Sequence, residues 1–368
     1  MKILLDQLVY FGFFQSIILL LIYLFSPRKR RHINGFMALL TATLFFGLLG
    51  KVLYNSGAFG QNFRLIAMSE MSALLFGPTV YLFTRTTLKV KPYSPQDLLH
   101  YLPALVYSFF ILVYFIVPGN DVARARASTG ETMRVIYICH AVGLIVNITY
   151  WGLGWQVFRR FSAEMRNEVS YELRTKFMTR FLIIIGICLT IWTILYLTSF
   201  FGFDMLERNA RPYIWIVLTL IILFITYYGM IAPQVLRVAP EIQKRKYNQS
   251  KLSADDMEHL KEKLNALMIE KKPYLNEKLL KSELAQMLGV NDPELARLLN
   301  ESIGMNFFDY VNYYRIKEFI SLAKTEKAKQ LTFFGLAQEA GFNSKTTFNK
   351  SFKKLIGTSP SAYLKTTY

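Results

Sequence analysis

The chain has 368 residues, a net charge of +18, 53% apolar and 15% aromatic residues, and two cysteines. That length admits two or three domains, and the apolar share exceeds that of ordinary soluble proteins. Cys139 and Cys188 both lie inside apolar blocks, which excludes a disulfide framework and a cysteine metal site.

Up to Val235 the apolar residues arrive in blocks near 20 residues long, and after Arg237 they thin into helical stripes. A membrane portion over 1–235 is therefore expected to precede a soluble portion. Lys2 is followed by a long apolar run without a small-residue cleavage site, so the first block reads as an uncleaved span. Seven spans are predicted, at 7–25, 33–54, 63–84, 98–117, 134–158, 181–201 and 213–232. Each is near the ~20 residues that cross ~30 Å of hydrocarbon. The loops after the first, third and fifth spans hold 13 Lys and Arg, among them Arg28, Arg85, Arg159, Arg160 and Arg166, against 6 on the other side. By the positive-inside rule the N-terminus lies outside, and an odd number of spans leaves the C-terminus in the cytoplasm of a multi-pass inner-membrane protein.

Within the spans, Glu70, His140 and Asn147 are the candidate sensing residues. Glu70 either faces an aqueous pocket that takes a ligand or staples two helices through a hydrogen bond, and the same alternatives hold for His140 and Asn147. Lys51 and Arg64 sit near span ends and can snorkel. The longest outer loop, about 118–133, is too short for a folded sensor domain, so the signal is a small molecule, a lipid, a mechanical input or another membrane protein.

The stretch from Pro233 to Ser250, with Lys244, Arg245 and Lys246, reads as a linker against the anionic lipid bilayer. Ser253 and Asp256 then open a connector helix with Met257, Leu260, Leu264, Leu267 and Met268 on one stripe, completing a linker region over 236–270. Two heptads either pair between chains, giving a homodimer, or pack on their own domain.

A first helix-turn-helix is predicted over Ser282 to Ile303. Leu284, Ala285 and Leu288 line one helix, Gly289 makes the turn, Asn291 or Asp292 caps the next, and Pro293 opens it. Ala296, Arg297 and Asn300 face out. One helix from Asn306 to about Lys324 follows, roughly 28 Å long at ~1.5 Å per residue. That length nearly matches the ~34 Å between successive major-groove faces. A short helix from Phe334 to Ala340, a turn at Gly341, and a helix capped by Ser344 and stopped by Gly357 make a second motif. Its last helix carries Phe348, Phe352, Leu355 and Ile356 on one stripe, with Lys345, Thr346, Asn349, Lys350 and Lys353 opposite.

The run from Ala337 to Tyr363, A-x-E-A-G-F-N-S-K-T-T-F-N-K-S-F-K-K-L-I-G-T-S-P-S-A-Y, closely resembles the C-terminal signature of the AraC/XylS family of bacterial transcription regulators. The resemblance extends back to about Tyr274. It implies an all-α domain over 271–368 that binds double-stranded DNA through two helix-turn-helix motifs. It also implies base and phosphate contacts from Arg297, with Ala296 and Asn300 beside it, in the first motif, and from Ser344, Lys345, Thr346, Thr347, Asn349, Lys350 and Lys353 in the second. Many members have a Lys pair where this chain has Asn300 and Glu301, and a small residue where Phe319 stands. From Pro273 to Gly304 three bases face five acids, whereas Lys345 to Lys365 holds five lysines and no acid. The second motif is thus expected to supply most of the phosphate affinity.

The fold class expected is all-α, a seven-helix transmembrane bundle followed by the double helix-turn-helix domain. No nucleophile–base pattern, HExxH or Gly-rich phosphate loop is present, so no enzymatic activity, cofactor or metal is expected. The rival reading is a transporter or channel with a regulatory DNA-binding tail. It requires repeated discontinuous spans and a continuous polar path, for which Glu70, His140, Asn147 and Lys51 are few.

Overall fold

A computed structural model describes residues 2–25, 31–57, 63–88, 90–91, 93–171, 175–202, 219–225 and 254–367. Among these residues the chain is all-helical, apart from one isolated β-bridge between Val169 and Leu280. It divides into two compact units, Met1–Arg159 with Arg174–Pro240, and Arg160–Leu173 with Glu241–Tyr368.

The first unit contains α1 (Lys2–Phe25), α2 (Arg31–Ser56), α3 (Phe63–Glu70), α4 (Ala73–Thr87), α5 (Leu102–Ile111), α6 (Asn120–Ser128), most of α7 (Glu131–Arg166) and α8 (Lys176–Phe200). A 3₁₀ turn, Pro95–Tyr101, and a π turn, Leu112–Ile116, flank α5. Among the described residues five stretches are long and apolar enough to cross a membrane: Asp6–Phe25, Gly35–Ser56, Pro95–Ile116, Glu131–Arg166 and Lys176–Phe200. Phe14, Leu21, Ile145 and Ile187 stay exposed on them, as lipid-facing positions would. Helices α7 and α8 approach closely through glycine. A Cβ on Gly186 would stand 2.8 Å from Trp151, and one on Gly143 would stand 3.0 Å from Trp192.

One span prediction is modified. The third is not one helix over 63–84: the chain breaks between α3 and α4, at Met71 and Ser72. Side chains reach the carbonyls around this break, as an apolar surround favours. Ser108 Oγ donates to Met71 O at 2.6 Å, Asn147 Nδ2 to Ala73 O at 3.1 Å, and Ser72 Oγ to Ser69 O at 3.1 Å. The seventh is helical over 219–225, and the rest of it, with the linker 233–250 and Ser253, lies outside the described residues. Arg85, counted above as a loop cation, is buried and paired with Asp97 at 2.5 Å.

The second unit holds α9 (Ala254–Glu270), α10 (Lys281–Leu288), α11 (Asp292–Arg297) continued by a π turn (Leu298–Ile303), α12 (Phe307–Leu322), α13 (Lys327–Gln330), α14 (Phe333–Glu339), α15 (Lys345–Ile356) and α16 (Pro360–Thr367). The apolar stripe of α9 is used within the unit. Met257, Leu260, Leu264, Leu267 and Met268 are buried in one core with Leu284, Leu288, Leu295, Leu298 and Val311. A second core gathers Ile316 and Phe319 of α12 with Leu336, Phe342, Phe348 and Phe352. Helix α12 contributes to both cores and so holds the two motifs to one rod, about 24 Å long at ~1.5 Å per residue.

Candidate nucleic-acid interface

The second motif is built by local signals. Thr332 caps α14, its Oγ1 accepting from Gly335 N at 3.0 Å. The chain then turns through Gly341 at φ +94°, a conformation that disfavours any side chain. Ser344 caps α15 by accepting from Thr347 N at 3.4 Å, and Gly357 stops it at φ +87°. Phe348 and Phe352 anchor the helix against Phe319, with ring centroids 4.7 and 5.7 Å apart. The aromatic side chain at 319, where the resembled family has a small one, is therefore the floor on which α15 rests.

That anchoring leaves Lys345, Thr346, Asn349, Lys350 and Lys353 exposed on one side of α15. Among the described residues, Lys345, Lys350 and Lys353 make no ion pair, whereas Lys354 pairs with Asp309 at 2.7 Å. Two members of the expected contact set differ. Thr347 is only 4% exposed and turned into the core side, because it follows Thr346 by 100° and falls beside Phe348. Ser344 has its hydroxyl engaged in the cap. Leu355, expected inward, is 40% exposed, since it lies beyond the reach of the aromatic core at the helix end.

The first motif has the expected punctuation and a different charge balance. Asn291 caps α11 by accepting from Glu294 N at 2.9 Å, and Glu294 Oε2 accepts from Asn291 N at 3.0 Å. The acids at the start of this helix are thus partly structural. Arg297 is half-exposed and its Nε donates to Glu301 Oε2 at 2.8 Å; Ala296 is half-buried and Asn300 exposed. Lys281 is buried and its Nζ lies 2.6 Å from Glu168 Oε1. Lys278 lies 3.8 Å from Glu277, so all three bases of this motif are already paired with carboxylates, which leaves the lysines of α15 as the stronger phosphate attractor.

Between the motifs sits a residue that the sequence reading passed over. Arg315 is 1% exposed, and its guanidinium makes a full set of hydrogen bonds. Nε donates to Tyr274 O at 2.8 Å, Nη1 to Ser170 O at 2.5 Å and Asn312 Oδ1 at 3.3 Å, and Nη2 to Asn276 O at 2.7 Å and Ser170 Oγ at 3.0 Å. Burial pushes its pKa down to about 9, which still leaves it charged at neutral pH. The clue was available: Val311, Arg315 and Phe319 recur every four residues on the buried face of α12, and an arginine there must be paired.

In the first unit, His140 Nε2 stands 3.9 Å from Glu70 Oε1, and Asn147 is buried two turns further along α7. All three gather on the break between α3 and α4. Asn147 donates to Ala73 O and, at 2.8 Å, to Gly143 O, and so links α7 to the start of α4.

Residues 284–366 match a family model described as a helix-turn-helix domain. The C-terminal segment thus carries the AraC-type helix-turn-helix domain that its wording suggests. A 102-residue segment is 28% identical to the transcriptional regulatory protein HptR of Staphylococcus aureus, in strains NCTC 8325, MSSA476 and MRSA252 alike. It covers 28% of this chain and 39% of each relative, so the likeness spans well under half of either protein. No solved structure matches the chain significantly.

Proposed function

We propose that this protein is a membrane-anchored transcription regulator. The helix-turn-helix unit binds double-stranded DNA sequence-specifically, and the apolar helices before it hold it at the cytoplasmic face of the bilayer and receive the signal. The observation that carries the reading is α15: a helix pinned by Phe348 and Phe352, with unopposed lysines on its outer side, at the place where a recognition helix enters the major groove. Lys345, Lys350 and Lys353 take phosphates, Thr346 and Asn349 reach base edges, and Arg297 contributes from the first motif. The orientation has support that needs no count of spans. The connection between the fifth and sixth predicted spans, which carries Arg159, Arg160, Arg166, Arg174, Lys176 and Arg180, contributes residues 160–173 to the compact unit of the helix-turn-helix motifs, so both are read on one side, which the positive-inside rule makes cytoplasmic. Glu70 and His140, meeting at the break in the third span, are the site where a small molecule, a lipid or a neighbouring membrane protein acts.

The test is binding of the full chain in lipid nanodiscs to duplex DNA across salt concentrations. Wild type is expected to show a log–log slope of several units, and Lys345→Ala with Lys350→Ala lowers it by roughly two. A flat salt response in the wild type discards the reading.

A further inference from the structure

We propose that Ser170, in the loop between the fifth and sixth predicted spans, is a positioning residue of the DNA-reading unit. It fixes the second recognition helix relative to the first, and through it the membrane helices reach the DNA-binding surface. The proposal rests on the DNA-binding reading above and names how that site is controlled.

Residues 160–173 cluster with 241–368, although the sixth and seventh predicted spans intervene in sequence. The joint is specific. Val169 and Leu280 form an antiparallel bridge in which Ser170 N donates to Leu279 O at 3.2 Å and Lys281 N donates to Glu168 O at 3.0 Å. Glu168 also pairs with Lys281 Nζ, the opening residue of α10. Val169 and Ser170 are buried, so the bridged segment is part of the interior rather than a surface contact.

Ser170 then holds Arg315. Its carbonyl and hydroxyl oxygens accept two of the five hydrogen bonds of that guanidinium. Asn276 and Tyr274, which precede the first motif, accept two more. Against the same group lies the turn of the second motif: a Cβ on Gly341 would meet Tyr274 O at 2.3 Å and Arg315 Nε at 3.1 Å, and the Phe342 ring centre is 5.8 Å from Cζ. A buried cation does not tolerate unpaired donors. If Ser170 shifts, the guanidinium must follow it or find new acceptors, and the Tyr274 carbonyl and the Gly341 turn move with it. Because α15 begins four residues after Gly341, that movement re-aims the exposed lysines.

The drive has a short path. Arg166 ends α7, a single helix of 36 residues that includes the fifth predicted span, and Ser170 follows four residues later. Helix shifts of ~1–2 Å are ordinary in switching proteins, and packed interfaces respond to them by changing arrangement rather than by bending. This route does not involve the linker 233–250, which the sequence favours as the connection.

The experiment uses the full chain in nanodiscs and two 40-base-pair duplexes, one selected from a random library by the wild-type chain and one a scramble of it. Ser170→Ala is expected to weaken binding of the selected duplex at least tenfold while leaving the scrambled duplex and its salt slope unchanged. Hydrogen exchange on the same sample is expected to find the amides of α15 still protected. The inference is overturned if Ser170→Ala binds both duplexes as the wild type does. It is equally overturned if the variant loses both duplexes alike or loses protection along α15, which would make Ser170 a support of the fold and nothing more. The DNA-binding reading is judged separately, by whether Lys345→Ala with Lys350→Ala loses both duplexes.

Discussion

Gly341 and Gly357 bracket the second recognition helix with nearly the same backbone, at φ +94° and +87°, yet their surroundings are opposite. A Cβ at Gly357 meets nothing within 4 Å, whereas one at Gly341 meets the Tyr274 carbonyl at 2.3 Å and Leu275 Cα at 3.0 Å. Alanine at either position suffers the left-handed penalty of about 1–2 kcal/mol. At Gly341 it must also displace the Tyr274 carbonyl, which accepts from the buried Arg315 Nε at 2.8 Å. Losing a hydrogen bond to a charged group costs roughly a further 1.5–3 kcal/mol. Gly341→Ala should therefore destabilise the unit by about 2.5–5 kcal/mol and Gly357→Ala by about 1–2 kcal/mol. Native-state hydrogen exchange of the α12 amides, in the full chain in nanodiscs, reads both as losses of opening free energy. Equal losses for the two variants would refute the close approach of the Gly341 turn to Tyr274 and Arg315.

Phe319→Ala removes the ring beneath Phe348 and Phe352 and should cost about 3–5 kcal/mol at the same amides, as large-to-small core changes do; a loss under ~1 kcal/mol would mean that α15 does not rest there. Glu301→Ala removes the carboxylate that competes with phosphate for Arg297 in a half-exposed pair, so the salt slope of DNA binding should steepen by up to about one with little change in stability. An unchanged slope would take Arg297 out of the phosphate contacts. Thr347→Val should bind DNA within about twofold of wild type because the side chain is buried, while Asn349→Ala, on the exposed side, should weaken a selected duplex by ~1–3 kcal/mol. Filter binding separates the two, and a reversed order would invert the assignment of the face.

The second motif was legible because its determinants are local. Ser344, Gly341 and Gly357 set the ends of α15, and the four-residue spacing of Phe348 and Phe352 sets its buried side. Thr347 was misplaced by its chemistry: a hydroxyl beside lysines reads as a contact residue, yet its angle on the helix turns it inward. The stripe of α9 was equally readable, but whether it served a partner or its own core depended on Leu284, Leu295 and Val311, which only the fold brings near. The break at Met71 and Ser72 was hidden because what sustains it, Ser108 and Asn147, lies 37 and 74 residues away from the carbonyls those side chains bind. Arg315 and Ser170 are 145 residues apart, across two predicted spans, and no periodicity reports such a pair.

The discontinuous make-up of the second unit bears on how the protein is made and how it could be unmade. Glu168 to Ser170 leave the ribosome well before the residues that hold them, so this joint can close only after Leu280 and Arg315 have been synthesised and returned to that segment. A protease cutting between 226 and 253 would not liberate an intact soluble regulator, because the released piece would carry Arg315 without two of its five acceptor bonds. On the proposed function, reading DNA and staying attached become requirements of one and the same interior.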